Sequence, residues 1–186
     1  FCGTVASGTV HQGDEVMVSA DGVLRVFALD GEEMYSIGSR GRGDGAQTET
    51  AYGVLRLGET YFVADGLNRS VKAFNQAGEL MWSQSAGQTP ESIDASGTIG
   101  SDHGTTGVVG DGLSVDLPQD LVIDGNGRLV LVDAFAFRLF VLDPADGAIV
   151  AAYGDEGQAD GQFTYPTGLA YDAGRDWFVV AYTAND

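Results

Sequence analysis

Acidic side chains set among glycines recur along this chain. The densest run is Gly154-Asp155-Glu156-Gly157-Gln158-Ala159-Asp160-Gly161, and shorter ones surround Asp44 (Gly43-Asp44-Gly45) and Asp111 (Gly110-Asp111-Gly112). Carboxylates and flexible backbone carbonyls are what a hard cation needs, so Asp155, Glu156 and Asp160 are candidate calcium ligands. The same pattern also serves a tight turn, in which glycine supplies positive φ and Asp caps its own backbone. No run has the full EF-hand spacing, and no other cofactor is indicated.

Other chemistry-bearing residues are few. His103 follows Asp102 and precedes Asp111 and Asp116, a set that could hold a metal or a general base, or could simply be a solvated loop. His11 sits before Gln12-Gly13 and reads as a turn neighbour. Two histidines and the single Cys2 cannot build a tetrahedral zinc site or an internal disulfide. Arg40 and Arg42 are the local basic cluster. They could steer an anionic ligand or partner, or offset nearby Asp44 and Glu49. Neither Ala6-Ser7-Gly8 nor Ala20-Asp21-Gly22 has the setting of a nucleophile elbow.

The charge balance narrows the partners. Nine basic against 27 acidic side chains give a net charge of −18, and Lys72 is the lone lysine. A phosphate backbone or an anionic membrane face is therefore a poor match, and nucleic acid is excluded as an expected partner. No run approaches 18 consecutive apolar residues, so no transmembrane segment is expected, and no basic-then-apolar leader opens the sequence. An acidic surface with a hydrophobic fraction of 44% suits a folded domain in an extracellular or periplasmic setting.

These residues must be carried by short strands, because 28 glycines and 4 prolines in 186 residues favour turns over helices. Self-similarity confirms the pattern at sequence level. The run Tyr61-Phe62-Val63-Ala64-Asp65 continues to Val71-Lys72-Ala73-Phe74-Asn75, and Leu129-Val130-Leu131-Val132-Asp133 continues to Arg138-Leu139-Phe140-Val141-Leu142-Asp143. Asp65 to Asn75 and Asp133 to Asp143 are both ten steps, as is Ala20 to Asp30. A preceding strand recurs as Leu117-Pro118-Gln119-Asp120-Leu121-Val122-Ile123-Asp124 and Tyr165-Pro166-Thr167-Gly168-Leu169-Ala170-Tyr171-Asp172, and a closing strand as Glu79-Leu80-Met81-Trp82-Ser83. Each unit is thus a four-stranded antiparallel meander, which predicts an all-β chain with the blades of a β-propeller.

The markers are separated by 65 − 20 = 45, 133 − 65 = 68 and 182 − 133 = 49 residues. The larger middle value places an inserted loop at about 87–110 within one propeller domain spanning 1–186, with blades at about 4–38, 50–86, 116–153 and an incomplete one at 164–186. Phe27, Phe74, Trp82, Phe140, Tyr153 and Trp177 fall where blade faces would meet. The edge strand 176–182 is apolar, without proline or lysine, and calls for a protein partner or additional blades, with Trp177 the residue most affected.

At Asp160-Gly161-Gln162-Phe163, Pro166-Thr167-Gly168-Leu169-Ala170-Tyr171-Asp172, Val180-Ala181-Tyr182-Thr183-Ala184-Asn185 and Arg138-Leu139-Phe140-Val141-Leu142-Asp143, the chain resembles the NHL-repeat β-propellers. It departs at Ala20 and Tyr182, which stand where the motif has Asp, and at Ala136, which stands where it has Asn. The family usually closes six blades, so the resemblance implies a partial or incomplete ring. Because the innermost strands bring almost no histidine, the expected function is a non-enzymatic binding or scaffolding module, for which Arg40, Arg42, Asp44, His103, Asp111 and Trp177 are the candidate partner contacts. The alternative that the resemblance carries is a metal-dependent enzyme, lactonase-like or acting on peptidyl-hydroxyglycine, with most of its active site on other blades.

Overall fold

Period-two alternation of β-branched and aromatic residues with neutral or polar ones is the pattern of a pleated strand, and it governs this molecule. The computed structural model describes residues 6–42, 47–85 and 113–182. Among them all regular structure is strand. Sheet 1 is an antiparallel meander of β1 (Ala6–Gln12), β2 (Glu15–Ala20), β3 (Val23–Ala28) and β4 (Glu33–Ile37). A two-residue parallel pair follows, β5 (Ser39–Arg40) with β6 (Gln47–Thr48). Sheet 2 is a second meander of β7 (Ala51–Leu57), β8 (Thr60–Asp65), β9 (Ser70–Asn75) and β10 (Leu80–Ser85). Sheet 3 is a third, with β11 (Pro118–Ile123), β12 (Leu129–Asp133), β13 (Arg138–Leu142) and β14 (Ile149–Tyr153). Sheet 4 pairs β15 (Pro166–Asp172) with β16 (Trp177–Tyr182). The expected all-β character and the repetition of antiparallel sheets are both present. The β5/β6 pair is an addition within what the sequence suggested was plain loop; Gly41 N–H donates to the Thr48 carbonyl at 2.9 Å and helps close it.

The sheets pack face to face, and the alternation explains how. Tyr61 and Val63 of β8 join Met17, Leu24, Val26 and Ile37 of sheet 1 in one buried cluster. Their neighbours Phe62 and Ala64 point the other way, into a cluster with Leu129, Leu131 and Phe140 of sheet 3. In β12 the same division recurs, because Val130 and Val132 pack with Leu169 of β15 and with Phe178 and Val180 of β16. Each internal sheet is therefore apolar on both faces, as sheets between two neighbours must be. Trp82 on β10 crosses to sheet 3, donating its indole N–H to the Pro144 carbonyl at 3.0 Å.

The first strands of the four sheets lie side by side, β1 by β7, β7 by β11 and β11 by β15. A register irregularity occurs near the start of each: Ala6/Gly8, Ala51/Gly53, Pro118/Asp120 and Pro166/Gly168. Such bulges bend a strand and let its backbone approach a neighbour. At Gly53 the approach is so close that an added Cβ would stand 2.8 Å from the Asp120 Cα. Asp120, at the matching place in β11, uses its carboxylate instead: one oxygen accepts the Leu121 N–H at 2.9 Å and the other accepts the Leu169 N–H of β15 at 3.0 Å.

Candidate functional site

Two buried carboxylates organise the loops at one end of the sheets. Asp65 and Asp133 close the second strands of sheets 2 and 3, and both are wholly buried. Asp133 accepts four backbone N–H bonds, from Asp116 at 2.7 Å, Leu117 at 2.9 Å, Phe135 at 3.1 Å and Ala136 at 2.9 Å. It thereby ties the segment entering β11 to the β12–β13 loop. Burial holds its carboxyl above the usual carboxylate range, against the opposing pull of those donors. Asp65 accepts from Glu49 N–H at 3.1 Å and Thr50 N–H at 3.2 Å, from the Asn68 amide at 2.7 Å and from Lys72 Nζ at 3.3 Å. Asn68 also donates to the Gly41 carbonyl at 3.0 Å. Ala136 stands three residues beyond Asp133 where Asn68 stands beyond Asp65, so in sheet 3 backbone donors alone hold the carboxylate.

The loops so fixed meet one another. Arg69, in the β8–β9 loop, pairs with Asp116 ahead of β11 at 2.6 Å. One sheet further on, the corresponding loops meet through aromatics: Phe135 and Phe137 in the β12–β13 loop contact Tyr165 ahead of β15, with ring centroids 6.1 and 5.3 Å apart. Phe137 (φ 55°) and Tyr165 (φ 47°) both adopt left-handed backbone, as does Arg69 (φ 52°). For bulky side chains this conformation is unusual and is sustained only by its surroundings. Phe135 remains 53% exposed and Tyr165 44%. Leu67 and Tyr52 are exposed at the same end of sheet 2, the Tyr52 ring lying against Gly66. A small cleft of about 210 Å³ adjoins, lined by Leu113, Ser114, Asp116, Ala136, Arg138 and Phe140.

The described residues among those singled out from sequence do not form one site. Arg40 is exposed in β5. Arg42 pairs with Glu49 at 2.7 Å, the local compensation that its surroundings suggested. Asp155 is held by the Arg138 guanidinium, Glu156 forms a bridge to Phe163, and Asp160 is exposed. Among the described residues no three His, Cys, Asp or Glu side chains gather as metal ligands would. Trp177 is exposed on β16, with the Arg175 guanidinium 5.8 Å from its ring centre. Asp44, His103, Asp111 and the inserted loop lie outside the described residues. Sequence reasoning passed over Phe135, Phe137 and Tyr165. The available signal was Phe135-Ala136-Phe137 standing where the preceding repeat has Leu67-Asn68-Arg69.

A second polar cluster joins the opposite ends of sheets 1 and 2. Arg56 Nη1 lies 2.9 Å from Glu15 Oε2, the Tyr35 hydroxyl donates to Glu15 at 3.3 Å, and the Tyr35 and Tyr61 hydroxyls are hydrogen-bonded to each other. Burial, followed by the bond to Tyr61, pushes the Tyr35 phenol well up. Every member has a partner within the cluster, and its effect is to fasten one sheet to the next.

No family model matches the sequence, and no curated protein matches it. Among solved structures, the chain is similar to a protein of unknown function from Bacteroides caccae, at 14% identity and a TM-score of 0.43, over 92% of this chain and 68% of that one. No helix among the described residues is long and apolar enough to cross a membrane.

Proposed function

We propose that this chain is a non-enzymatic binding or scaffolding module built as an NHL-like β-propeller portion, which holds a protein or other ligand against the loop end of its sheets. The stacking supports the propeller arrangement: successive meanders pack face to face and adjoin along their first strands. The observation that carries the function is the Phe135, Phe137 and Tyr165 cluster, in which two aromatics sit in left-handed backbone while Phe135 and Tyr165 stay half exposed. Exposed aromatics on a rigid frame supply large contact area at low entropic cost, which is the make-up of binding hot spots. The buried carboxylates of the same end, Asp65 and Asp133, are engaged in holding loops rather than facing a substrate. The acidic surface suits an extracellular or periplasmic module.

The test is a peptide and glycan array probed with the wild-type chain and with a Phe135→Ser/Tyr165→Ser double variant. Saturable binding that falls at least tenfold in the variant, with the far-ultraviolet spectrum unchanged, is expected. Binding that is indifferent to both substitutions overturns the assignment to this face.

A further inference from the structure

Eight of the nine basic side chains form ion pairs with carboxylates of this same chain, Arg40 being the ninth. The net charge of −18 therefore has no counter-charge within the molecule. In the loop from β14 to β15 that excess meets exposed aromatics. Among the described residues, Glu156 and Asp160 are exposed and have no basic partner, whereas Asp155 is held by Arg138. The loop starts against the β12–β13 loop, where an added Cβ on Gly154 would stand 3.1 Å from the Phe137 carbonyl oxygen, and Tyr165 closes it. Glu156 bridges to Phe163, Gly157 N–H donates to the Phe163 carbonyl at 3.1 Å, and the Thr164 hydroxyl donates to the Gly157 carbonyl at 3.1 Å. The acidic turn is thus fastened to the residues directly ahead of Tyr165. The exposure of Phe135 belongs to its position: Leu67, which also stands two residues beyond a buried Asp that closes a second strand, is 54% exposed.

Two places in the molecule show what such a surface takes. In sheet 4 the Arg175 guanidinium lies 5.8 Å from the Trp177 ring centre while it pairs with Asp172 at 2.7 Å, so one guanidinium serves an aromatic ring and a carboxylate together. Where sheets 2 and 3 meet, the β8–β9 loop supplies its own cation, Arg69, to Asp116. Arg69 stands four residues beyond Asp65, and four residues beyond Asp133 the chain has Phe137 instead. The junction of sheets 3 and 4 thus gains an aromatic ring in place of that arginine, and Glu156 and Asp160 beside it stay unmatched.

We infer that this junction docks a basic, arginine-bearing peptide segment of a partner protein, with a guanidinium stacked on Phe135 or Tyr165 and its N–H groups donating to Glu156 or Asp160. The inference rests on the loop-end reading of the function and names the class of its ligand. Arginine suits both surfaces, because its guanidinium is planar, weakly hydrated and presents a fork of donors that matches a carboxylate. The acidic field of the whole chain steers such a segment toward it, and salt weakens that attraction. A second copy of this chain is the poorer occupant, since each copy carries −18 and its arginines are largely paired already.

The probe is a short acetylated and amidated peptide of alternating arginine and glycine, titrated calorimetrically into the whole chain. Beside it runs the same peptide with citrulline for arginine, which keeps the shape and removes the charge. Saturable binding of the arginine peptide is expected, at least tenfold weaker for the citrulline peptide and for the variants Glu156→Gln/Asp160→Asn and Phe135→Ser/Tyr165→Ser. The control variant Glu32→Gln/Glu59→Gln removes the same charge from exposed turns at the opposite end of sheets 1 and 2, and should bind within twofold of the wild type. All of these positions are exposed, so the variants keep their fold, which circular dichroism verifies. Equal weakening by the two acidic variants would trace the binding to overall charge and overturns the proposal, as does equal affinity for the citrulline peptide. No binding of the arginine peptide also overturns it; if array ligands still bind through Phe135 and Tyr165, the loop-end function stands without it, and if they do not, both fall.

Discussion

Lys72 is the one lysine of the chain, and it is fully buried against an equally buried Asp65. Removing one member of such a pair leaves an uncompensated charge in the interior. Lys72→Met is therefore expected to cost about 3–5 kcal/mol in urea unfolding. Adding Asp65→Asn should recover part of the loss, and a double variant no more stable than Lys72→Met would show the two residues to be uncoupled. Asp133 makes a prediction of opposite sign to an ordinary carboxylate. Because its folded pKa is raised, the stability linked to its titration is fully present below the ordinary aspartate value and is lost as pH rises through the folded one. Asp172, lowered first by its bond to Arg175, supplies stability above the ordinary value that disappears as pH falls through the lowered one. A side-chain carboxyl NMR titration should find Asp133 ionising at higher pH than Asp172, and the reverse order would contradict the assigned environments.

At the scale of the element, the bulge near the start of each first strand sets how closely the sheets adjoin. Gly53→Ala places a methyl against the Asp120 backbone, and overpacking of this kind is expected to destabilise by about 1–3 kcal/mol. At the equivalent Gly168 the nearest atom to an added Cβ is the Ala181 Cβ at 3.3 Å, a side-chain methyl that has to give by only a few tenths of an ångström, so Gly168→Ala should cost less than Gly53→Ala. Equal losses in denaturant melts would show that the β7–β11 approach is not the tight one. These elements were largely legible in sequence. The ten-residue interval from Asp65 to Asn75 and from Asp133 to Asp143 fixed the second and third strands, and Pro118 and Pro166 marked the opening of two first strands. The bulges were not legible, because they depend on the approach of a strand distant in sequence. Nor was the β5/β6 pair, whose two residues are too few for any period to be seen. The aromatic contact of Phe137 with Tyr165 was hidden for the same reason, since it forms only when consecutive sheets meet.

For the whole molecule, the architecture and the charge lead to one account. Sheets apolar on both faces stack through their alternate residues, while turns and intersheet loops hold much of the acid, as at Asp30, Asp124, Asp143 and Asp155. The stack offers an aromatic loop end, and the described carboxylates are bound to backbone or arginine where they are buried. The composition announced the strands, but it carried little about the site. Acid-glycine runs look alike in sequence whether they cap turns or hold a cation; in the structure Asp155 pairs with Arg138 and Asp160 is exposed. The central claim is binding rather than catalysis. Metal content by mass spectrometry, measured together with turnover of lactones and of a peptidyl-hydroxyglycine on the same sample supplied with calcium and zinc, tests it most directly. The account predicts no turnover above the background of the buffer and metals alone; stoichiometric metal accompanied by saturable turnover of either substrate would contradict it.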